Sequence, residues 1–453
     1  MPEPVIAIFD VGKTNKKLFL FNRDYKIVYE KSARFIETVD EDGFACENVD
    51  ALKQSLLESL NEVERLEDFE VVAVNFSTYG ASFVYIDEKG KPLTPLYNYL
   101  KPYPPELQKA FYKKHGGETA VARETASPVL GSLNSGMQLY RLKEEQPKVF
   151  KRIKYALHLP QYMSYLITGQ AFTDITSIGC HTALWDFDQN KYHRWVNDEH
   201  ISDKLAPLAP VSKVVQTKEG TATPMVGIGL HDSSAALIPY MTSFHEPFML
   251  LSTGTWCISL NPFNHSPLTK DELAQDCLCY MDQKGKPVKA SRLFAGHEHE
   301  VQTKAIADHF NVSTAKFKTL PYHNEHLLRL KMDKKLTDHN GLLAFDPTRM
   351  DSYFSDEEAY HHLIYHLVQQ QIKSSALVLK DTPVKRIFVD GGFSKNAVYM
   401  TMLASEFKDI EVFAASMPQA TALGAALAIH KSWNNKALPN NLIELNYYSA
   451  ANN

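Results

Sequence analysis

The pattern that most restricts how this chain can fold occurs twice. Val5-Ile6-Ala7-Ile8-Phe9 and Leu18-Phe19-Leu20-Phe21 are apolar runs on either side of Asp10-Val11-Gly12-Lys13-Thr14-Asn15-Lys16-Lys17. About 240 residues later, Phe248-Met249-Leu250-Leu251-Ser252 and Trp256-Cys257-Ile258-Ser259-Leu260 flank Thr253-Gly254-Thr255. Each copy predicts two strands joined by a glycine-centred polar turn. Repetition at a domain-sized period predicts a duplicated domain rather than a solenoid. The chain has 453 residues, too many for one ordinary core, and two domains of roughly 200 residues each are expected. Their boundary is expected within 240–247, near residue 242, which gives domains 1–242 and 243–453.

The segments between the hairpins predict an α/β architecture. Lys26-Ile27-Val28-Tyr29 reads as a third strand. Val49, Leu52, Leu56, Leu57, Leu60 and Val63 recur at helical spacing. Val71-Val72-Ala73-Val74-Asn75-Phe76 is a continuous apolar run of the buried-strand type, followed by Phe83-Val84-Tyr85-Ile86. From about residue 92 to 212, Pro92, Pro95, Pro102, Pro104 and Pro105 interrupt the chain. Helical segments around 133–142 and 161–166 then read as a largely helical insertion.

Composition excludes several classes of function. Hydrophobic content of 44% and charged content of 22% belong to a globular chain, and the net charge of −5 is spread without a basic patch for nucleic acid or an anionic membrane surface. Five cysteines without a Cys-x-x-Cys pair fit a reducing compartment and give no zinc site. No leader peptide and no run of membrane-spanning length are apparent, so the expected location is the cytoplasm.

Four short stretches carry chemistry. In the first hairpin, Gly12 lets backbone N–H groups approach a ligand, while Lys and hydroxyl groups suit anionic oxygens and Asp10 suits a cation. The second hairpin offers a similar polar turn. Val389-Asp390-Gly391-Gly392-Phe393-Ser394-Lys395-Asn396 opens a helix with two glycines, and Gly229-Leu230-His231-Asp232-Ser233-Ser234-Ala235 places a carboxylate where a strand hands over to a helix. Taken alone, the first hairpin reads equally as a solvated loop and Asp232 as a helix N-cap.

In this order, and together with Ala420-Thr421-Ala422-Leu423-Gly424-Ala425, the stretches resemble the motifs of the FGGY carbohydrate kinases over essentially the whole chain. The resemblance implies an α/β, two-domain ribonuclease H-like fold of the actin/hexokinase/heat-shock ATPase superfamily, duplicated, with a central cleft. It implies ATP-dependent phosphorylation of a sugar hydroxyl with Mg²⁺. Asp232 would be the general base and Asp10 the metal carboxylate. Gly12, Lys13, Thr14, Asn15 and Lys17 would face Thr253, Gly254 and Thr255 across the phosphates, and Gly391, Gly392 and Asn396 would meet the adenosine. The sugar would lie near Thr78, Tyr79, Gly80, Ser82, His231 and Ser233, with Tyr79 as a stacking surface. The stretch Thr78-Tyr79-Gly80-Ala81-Ser82 is similar to that of the rhamnulose and fuculose kinases, so a ketose or deoxy-ketose phosphorylated at a primary hydroxyl is expected. A pentulose or polyol kinase of the xylulose, ribulose or glycerol type is the alternative, and a non-catalytic sugar or nucleotide sensor is the rival from another class. The partner expected is a small-molecule sugar, without nucleic acid or membrane; a homodimer is the assembly to test.

Several residues depart from the family pattern. Lys13 stands where Thr, Ala or Ser is usual, Lys17 replaces an Arg, Ser82 stands where Asp is frequent, and Asp390 occupies a common Gly position. Gln302 is a candidate nucleotide contact, and His297 and Glu298 are candidate cleft contacts. His362 and His366 are spaced for a metal but lack a His-Glu-x-x-His pattern and read as a polar helix face. Trp185 and Trp195 read as core.

Overall fold

The computed structural model describes residues 1–13, 16–33, 37–216, 225–332, 344–417, 419–439 and 441–449. Thr14 and Asn15 of the first hairpin lie outside them. Two seven-stranded sheets organise the chain. The first contains β1 (Glu3–Val11), β2 (Lys16–Asn22), β3 (Ile27–Ala33), β4 (Phe69–Thr78), β5 (Val214–Gln216) and β6 (Met225–Gly227), in the order β5-β6-β4-β1-β2-β3. A short β7 (Leu230–His231) also pairs with β4, further along it. The second contains β8 (Phe248–Thr253), β9 (Cys257–Asn261), β10 (Cys277–Met281), β11 (Pro287–Leu293), β12 (Arg386–Gly391), β13 (Glu411–Ser416) and β14 (Glu444–Tyr448), in the order β10-β11-β9-β8-β12-β13-β14.

The duplication read from the hairpins extends through both sheets. β3-β2-β1 is antiparallel, and β4 and β6 continue the sheet in parallel. β11-β9-β8 followed by β12 and β13 repeats that order and those directions. The central strands have helices on their faces, so they are apolar at successive positions rather than alternating: Val5, Ile6, Ala7 and Ile8 are all fully buried.

Helices follow the predicted spacing. α1 (Val49–Val63) is capped by Asn48, whose side chain accepts from the N–H groups of Asp50 and Ala51, and it buries Val49, Leu52, Leu56, Leu60 and Val63. α2 (Asp232–Ser243) leaves the first sheet. α3 (Ala295–Phe310), α4 (Asp356–Leu379) and α5 (Ala397–Glu406) belong to the second half, and α6 (Ala420–Ala428) follows β13. α2 and α6 occupy equivalent places in the two halves and pack on each other so closely that a Cβ on Gly424 would lie 1.9 Å from the Ala235 carbonyl oxygen. One apolar cluster spans both halves here, including Phe19, Phe21, Tyr240, Phe248, Phe388 and Leu423.

Some expectations change. Phe83–Ile86 does not join the main sheet but pairs antiparallel with Tyr155–His158 from the insertion. The third strand runs to residue 33 instead of ending at 29. Trp185 and Trp195 are core, as read. The helix bearing His361 and His362 is not polar on that face: both are fully buried, His362 against the Tyr353 hydroxyl at 2.7 Å, while His366 bonds Gln370. Among the described residues no helix is long and apolar enough to cross a membrane.

Candidate active site

The ends of β1, β4 and β7 bring two carboxylates to one edge of the first sheet. Asp10 is in register with Ser77, and His231 with Thr78, on opposite sides of β4. Asp10 and Asp232 therefore stand two strand spacings apart, about 10 Å. Burial pushes the Asp10 carboxyl up to about 6; the Asp232 charge adds to this, while a hydrogen bond from Thr421 and the charge of Lys17 oppose it. Burial also pushes Asp232 up to about 6, against hydrogen bonds from Ser233.

Asp232 is held asymmetrically. It opens α2, and its Oδ1 accepts from the Ser233 backbone N–H at 2.6 Å and the Ser233 hydroxyl at 3.3 Å. His231 Nε2 lies 3.1 Å from the same oxygen. Burial pushes the His231 pKa down to about 3, so the ring is neutral and carries one proton. Nδ1 is buried without a hydrogen-bond partner, and a proton on Nε2 serves Asp232. Among the described residues no donor reaches Asp232 Oδ2, so one oxygen is fixed and the other is free to act.

His231 itself is enclosed. Its ring stacks on Tyr280 with centroids 5.6 Å apart, and Cys180 Sγ is 3.0 Å from Nε2. A Cβ on Gly80 would lie 2.9 Å from His231 Cδ2, so the close approach of this loop requires glycine. His231, expected beside the sugar, is buried and lies against Asp232. Thr78 and Ser82, expected at the sugar, are buried with their hydroxyls turned to the carbonyls of Tyr79 and Tyr97. Tyr79 is also buried, and its hydroxyl donates to Glu47 at 3.0 Å.

The lysines of the first hairpin separate. Lys17 lies across from Asp10 in the β1–β2 register and pairs with Glu30 at 2.6 Å. Lys13 does not join it: its ammonium is 3.4 Å from Glu47 and close to the Tyr79 and Tyr99 rings.

In the second half, the turn and the Gly-Gly loop meet directly. The Gly392 N–H donates to the Thr253 carbonyl at 2.9 Å, and the Phe393 N–H to the Thr253 hydroxyl at 3.0 Å. Gly391 has φ +90°, and a Cβ there would lie 1.9 Å from the Thr253 carbonyl oxygen. The Thr255 carbonyl accepts from the His297 N–H, which ties the hairpin tip to the start of α3. Asp390 also has an account: Tyr240 in α2 donates to its Oδ2 at 3.2 Å.

A cavity of about 670 Å³ opens beside this junction and brings Gly254, Gly392 and Asn396 together with Gly296, Phe317 and Tyr360. The Tyr360 hydroxyl accepts from Asn396 at 2.7 Å and lies 2.9 Å from His299 Nε2, a polar cluster in a wall that also carries Lys304, Lys318 and Lys395. Gln302 is not part of the lining; its amide donates to Glu298. His299 and Thr303 of α3 line the cavity instead. His297 stacks on Phe294. Sequence reasoning missed Glu47, Tyr99, Cys180, Tyr280 and Tyr360, which lie in no recognisable motif. It named Thr421 within the small-residue helix that resembles a family motif but gave it no partner, although a hydroxyl among alanines and a glycine was the available signal.

Residues 5–238 match the N-terminal domain of the FGGY family of carbohydrate kinases. The chain belongs to this family. Residues 245–329 and 359–433 match FGGY C-terminal domain descriptions. A rhamnulokinase of Halalkalibacterium halodurans is 28% identical over 259 residues, 55% of this chain and 54% of the relative. An L-fuculokinase of Escherichia coli is 24% identical over 278 residues, 56% of each chain. The chain thus spans about half the length of the curated relatives it matches. The crystal structure of a carbohydrate kinase from Novosphingobium aromaticivorans superposes with a TM-score of 0.81 at 23% identity, covering 99% of this chain and 95% of that one. A xylulose kinase structure from Lactobacillus acidophilus gives 0.78 at 15%, covering 99% and 94%. At these identities the superpositions speak for the fold, the two-domain actin/hexokinase ATPase fold of FGGY kinases.

Proposed function

We propose that this FGGY chain is an ATP- and Mg²⁺-dependent sugar kinase acting on a primary hydroxyl of a ketose or deoxy-ketose. The observation that carries the reading is Asp232, with Oδ1 tied by Ser233 and His231 and Oδ2 open, across β4 from Asp10. In the reaction the acceptor hydroxyl gives its proton to Asp232 Oδ2 as its oxygen bonds to the γ-phosphorus, and the bond to the β-phosphate oxygen breaks to release ADP. A carboxyl with a pKa of about 6 is mostly ionised at neutral pH and is a stronger base than an exposed one.

Asp10 is a partly buried carboxylate at the end of β1, a hard oxygen donor of the kind that would hold a divalent cation through its water shell. Asp10 would hold the Mg²⁺, which when bound would supply charge neutralisation for the phosphates. The cavity at Gly254, Gly392 and Asn396 is the place for adenosine, with Thr253 and Thr255 shaping the turn behind it. We divide the chain into a sugar- and base-bearing domain, 1–242, and a nucleotide domain, 243–453. The rhamnulokinase and L-fuculokinase relatives support the choice of acceptor. Five cysteines that all remain thiols support a cytoplasmic location.

The test is ATP consumption across a panel of ketoses and polyols, with Asp232→Asn as the control. A ketose that drives turnover in the parent, with a loss of about 10²–10⁴ in the variant, supports the reading. Turnover with polyols alone replaces the acceptor class. Sugar or nucleotide binding without turnover in the parent makes the chain a sensor.

A further inference from the structure

We infer that Lys13 and Glu47 bind the sugar acceptor through a pair of neighbouring hydroxyls, and that Lys13 is not part of the phosphate grip. This rests on the kinase reading above. Glu47 ends the short strand Ala45–Glu47, and its backbone exchanges two hydrogen bonds with Leu96, which anchors the carboxylate at the mouth of the insertion. The residue is 3% exposed. Its Oε1 accepts from the Tyr79 hydroxyl at 3.0 Å and lies 3.4 Å from Lys13 Nζ. Lys16 Nζ stands 3.5 Å from Oε2, which makes no hydrogen bond. A carboxylate this deep persists as a charge only when paired.

The same ammonium of Lys13 lies 5.9 Å from the Tyr79 ring centroid and 6.0 Å from that of Tyr99. The two rings are themselves 5.8 Å apart. Tyr99 is only half-buried and feels the charges of both Asp232 and Glu47, so this group of side chains borders the proposed base. Among the described residues every contact of Lys13 is within the first half of the chain; none reaches the Thr253-Gly254-Thr255 turn.

An ammonium beside a carboxylate presents three N–H donors next to acceptor lone pairs, a spacing that matches two adjacent hydroxyls on a polyol chain. Each hydroxyl would bond one partner, and the half-buried Tyr99 ring would cover the C–H face beside them. Glu47 sits between the Lys13 and Lys16 ammonium groups, so donors and an acceptor stand side by side, the set a polyhydroxylated acceptor uses. This explains a lysine where a small hydroxyl residue is the family habit, and it explains why Tyr79 is locked in place rather than open for stacking.

The experiment measures acceptor and nucleotide binding separately in the full chain. Ketoses and polyols are screened by thermal shift, which needs no turnover. KM for the acceptor so found and for ATP are then compared in the parent, Lys13→Met and Glu47→Gln. The expected result is an acceptor KM raised about 10–100-fold in both variants, from lost charge-assisted hydrogen bonds, with ATP KM within about twofold. Each single variant leaves one charge of the pair without its partner, so the double variant K13M/E47Q, which removes both and leaves Lys16 its bond to the Lys13 carbonyl, is measured by acceptor thermal shift as well. An acceptor lacking one of the contacted hydroxyls should bind more weakly than the complete one to the parent and equally to the double variant. Unchanged acceptor affinity in all variants, or a rise confined to ATP KM, overturns the inference. If the parent binds an acceptor but never consumes ATP, the kinase reading fails while the binding comparison still decides the role of Lys13 and Glu47.

Discussion

Thr421 Oγ1 donates to Asp10 Oδ2 at 2.6 Å, a contact between residues 411 positions apart. It joins the end of the first strand to the helix that closes the second half. Asn75 makes a similar crossing, its amide donating to the Ala425 carbonyl at 2.8 Å. The carboxylate proposed for the metal is therefore oriented from the opposite half of the molecule, and movement of one half against the other acts on it directly.

Thr421→Val removes that donor while keeping the side-chain shape. Since the bond holds the Asp10 pKa down, its loss lets burial raise the value further. The Mg²⁺ concentration for half-maximal rate should rise, the acid side of the rate profile should move to higher pH, and stability should fall by about 1 kcal/mol. Thr421→Ser should stay close to the parent. Steady-state rates titrated with Mg²⁺ at several pH values check this.

The two raised carboxyls also predict a pH signature in stability. Between about pH 4 and 6 the folded chain holds protons on Asp10 and Asp232 that the unfolded chain has released. Their contribution therefore falls as pH rises through that window and levels off above it. Asp10→Asn has no such group, so its melting temperature relative to the parent should increase from pH 4 to pH 7. A constant difference across that range contradicts the assignment. Activity runs the other way and should decline as pH drops below about 6, where Asp232 becomes protonated.

His231→Phe keeps a ring to stack on Tyr280 and removes the donor to Asp232 Oδ1. We expect kcat to fall about tenfold or more with ATP KM unchanged, and His231→Gln, which restores an N–H, to recover part of the loss. A loss seen in acceptor KM alone would make His231 a sugar contact after all.

Gly424→Ala tests the junction of the halves. Its Cβ would meet the Ala235 carbonyl oxygen at 1.9 Å, a backbone atom that cannot rotate away. Forcing α2 and α6 apart should cost about 2 kcal/mol or more, read as a lowered melting temperature. Gly392, whose Cβ would meet nothing within 4 Å, is the control that should tolerate alanine.

Much of this molecule is determined by the chain read alone. Apolar runs around two glycine turns specify the hairpins, because strand pairing and turn chemistry are local and repeat wherever the pattern repeats. The 3.6-residue spacing of Val49–Val63 specifies a helix for the same reason. Asp10 and Asp232, the carboxylates proposed for the metal and as the base, could be named from the chain because each stands at the end of a strand or the start of the next helix inside a recognisable motif. What side chains do at the site was decided only by tertiary packing. Glu47 sits in a three-residue strand with no motif, yet it draws Lys13 away from the turn that sequence placed it in. Thr421 reaches Asp10, Tyr240 reaches Asp390, and Cys180 and Tyr280 enclose His231 through distances along the chain that no local pattern encodes. A buried polar group takes whichever partner the fold delivers, since leaving it unpaired is costly, and that partner is known only once the two halves have closed on each other.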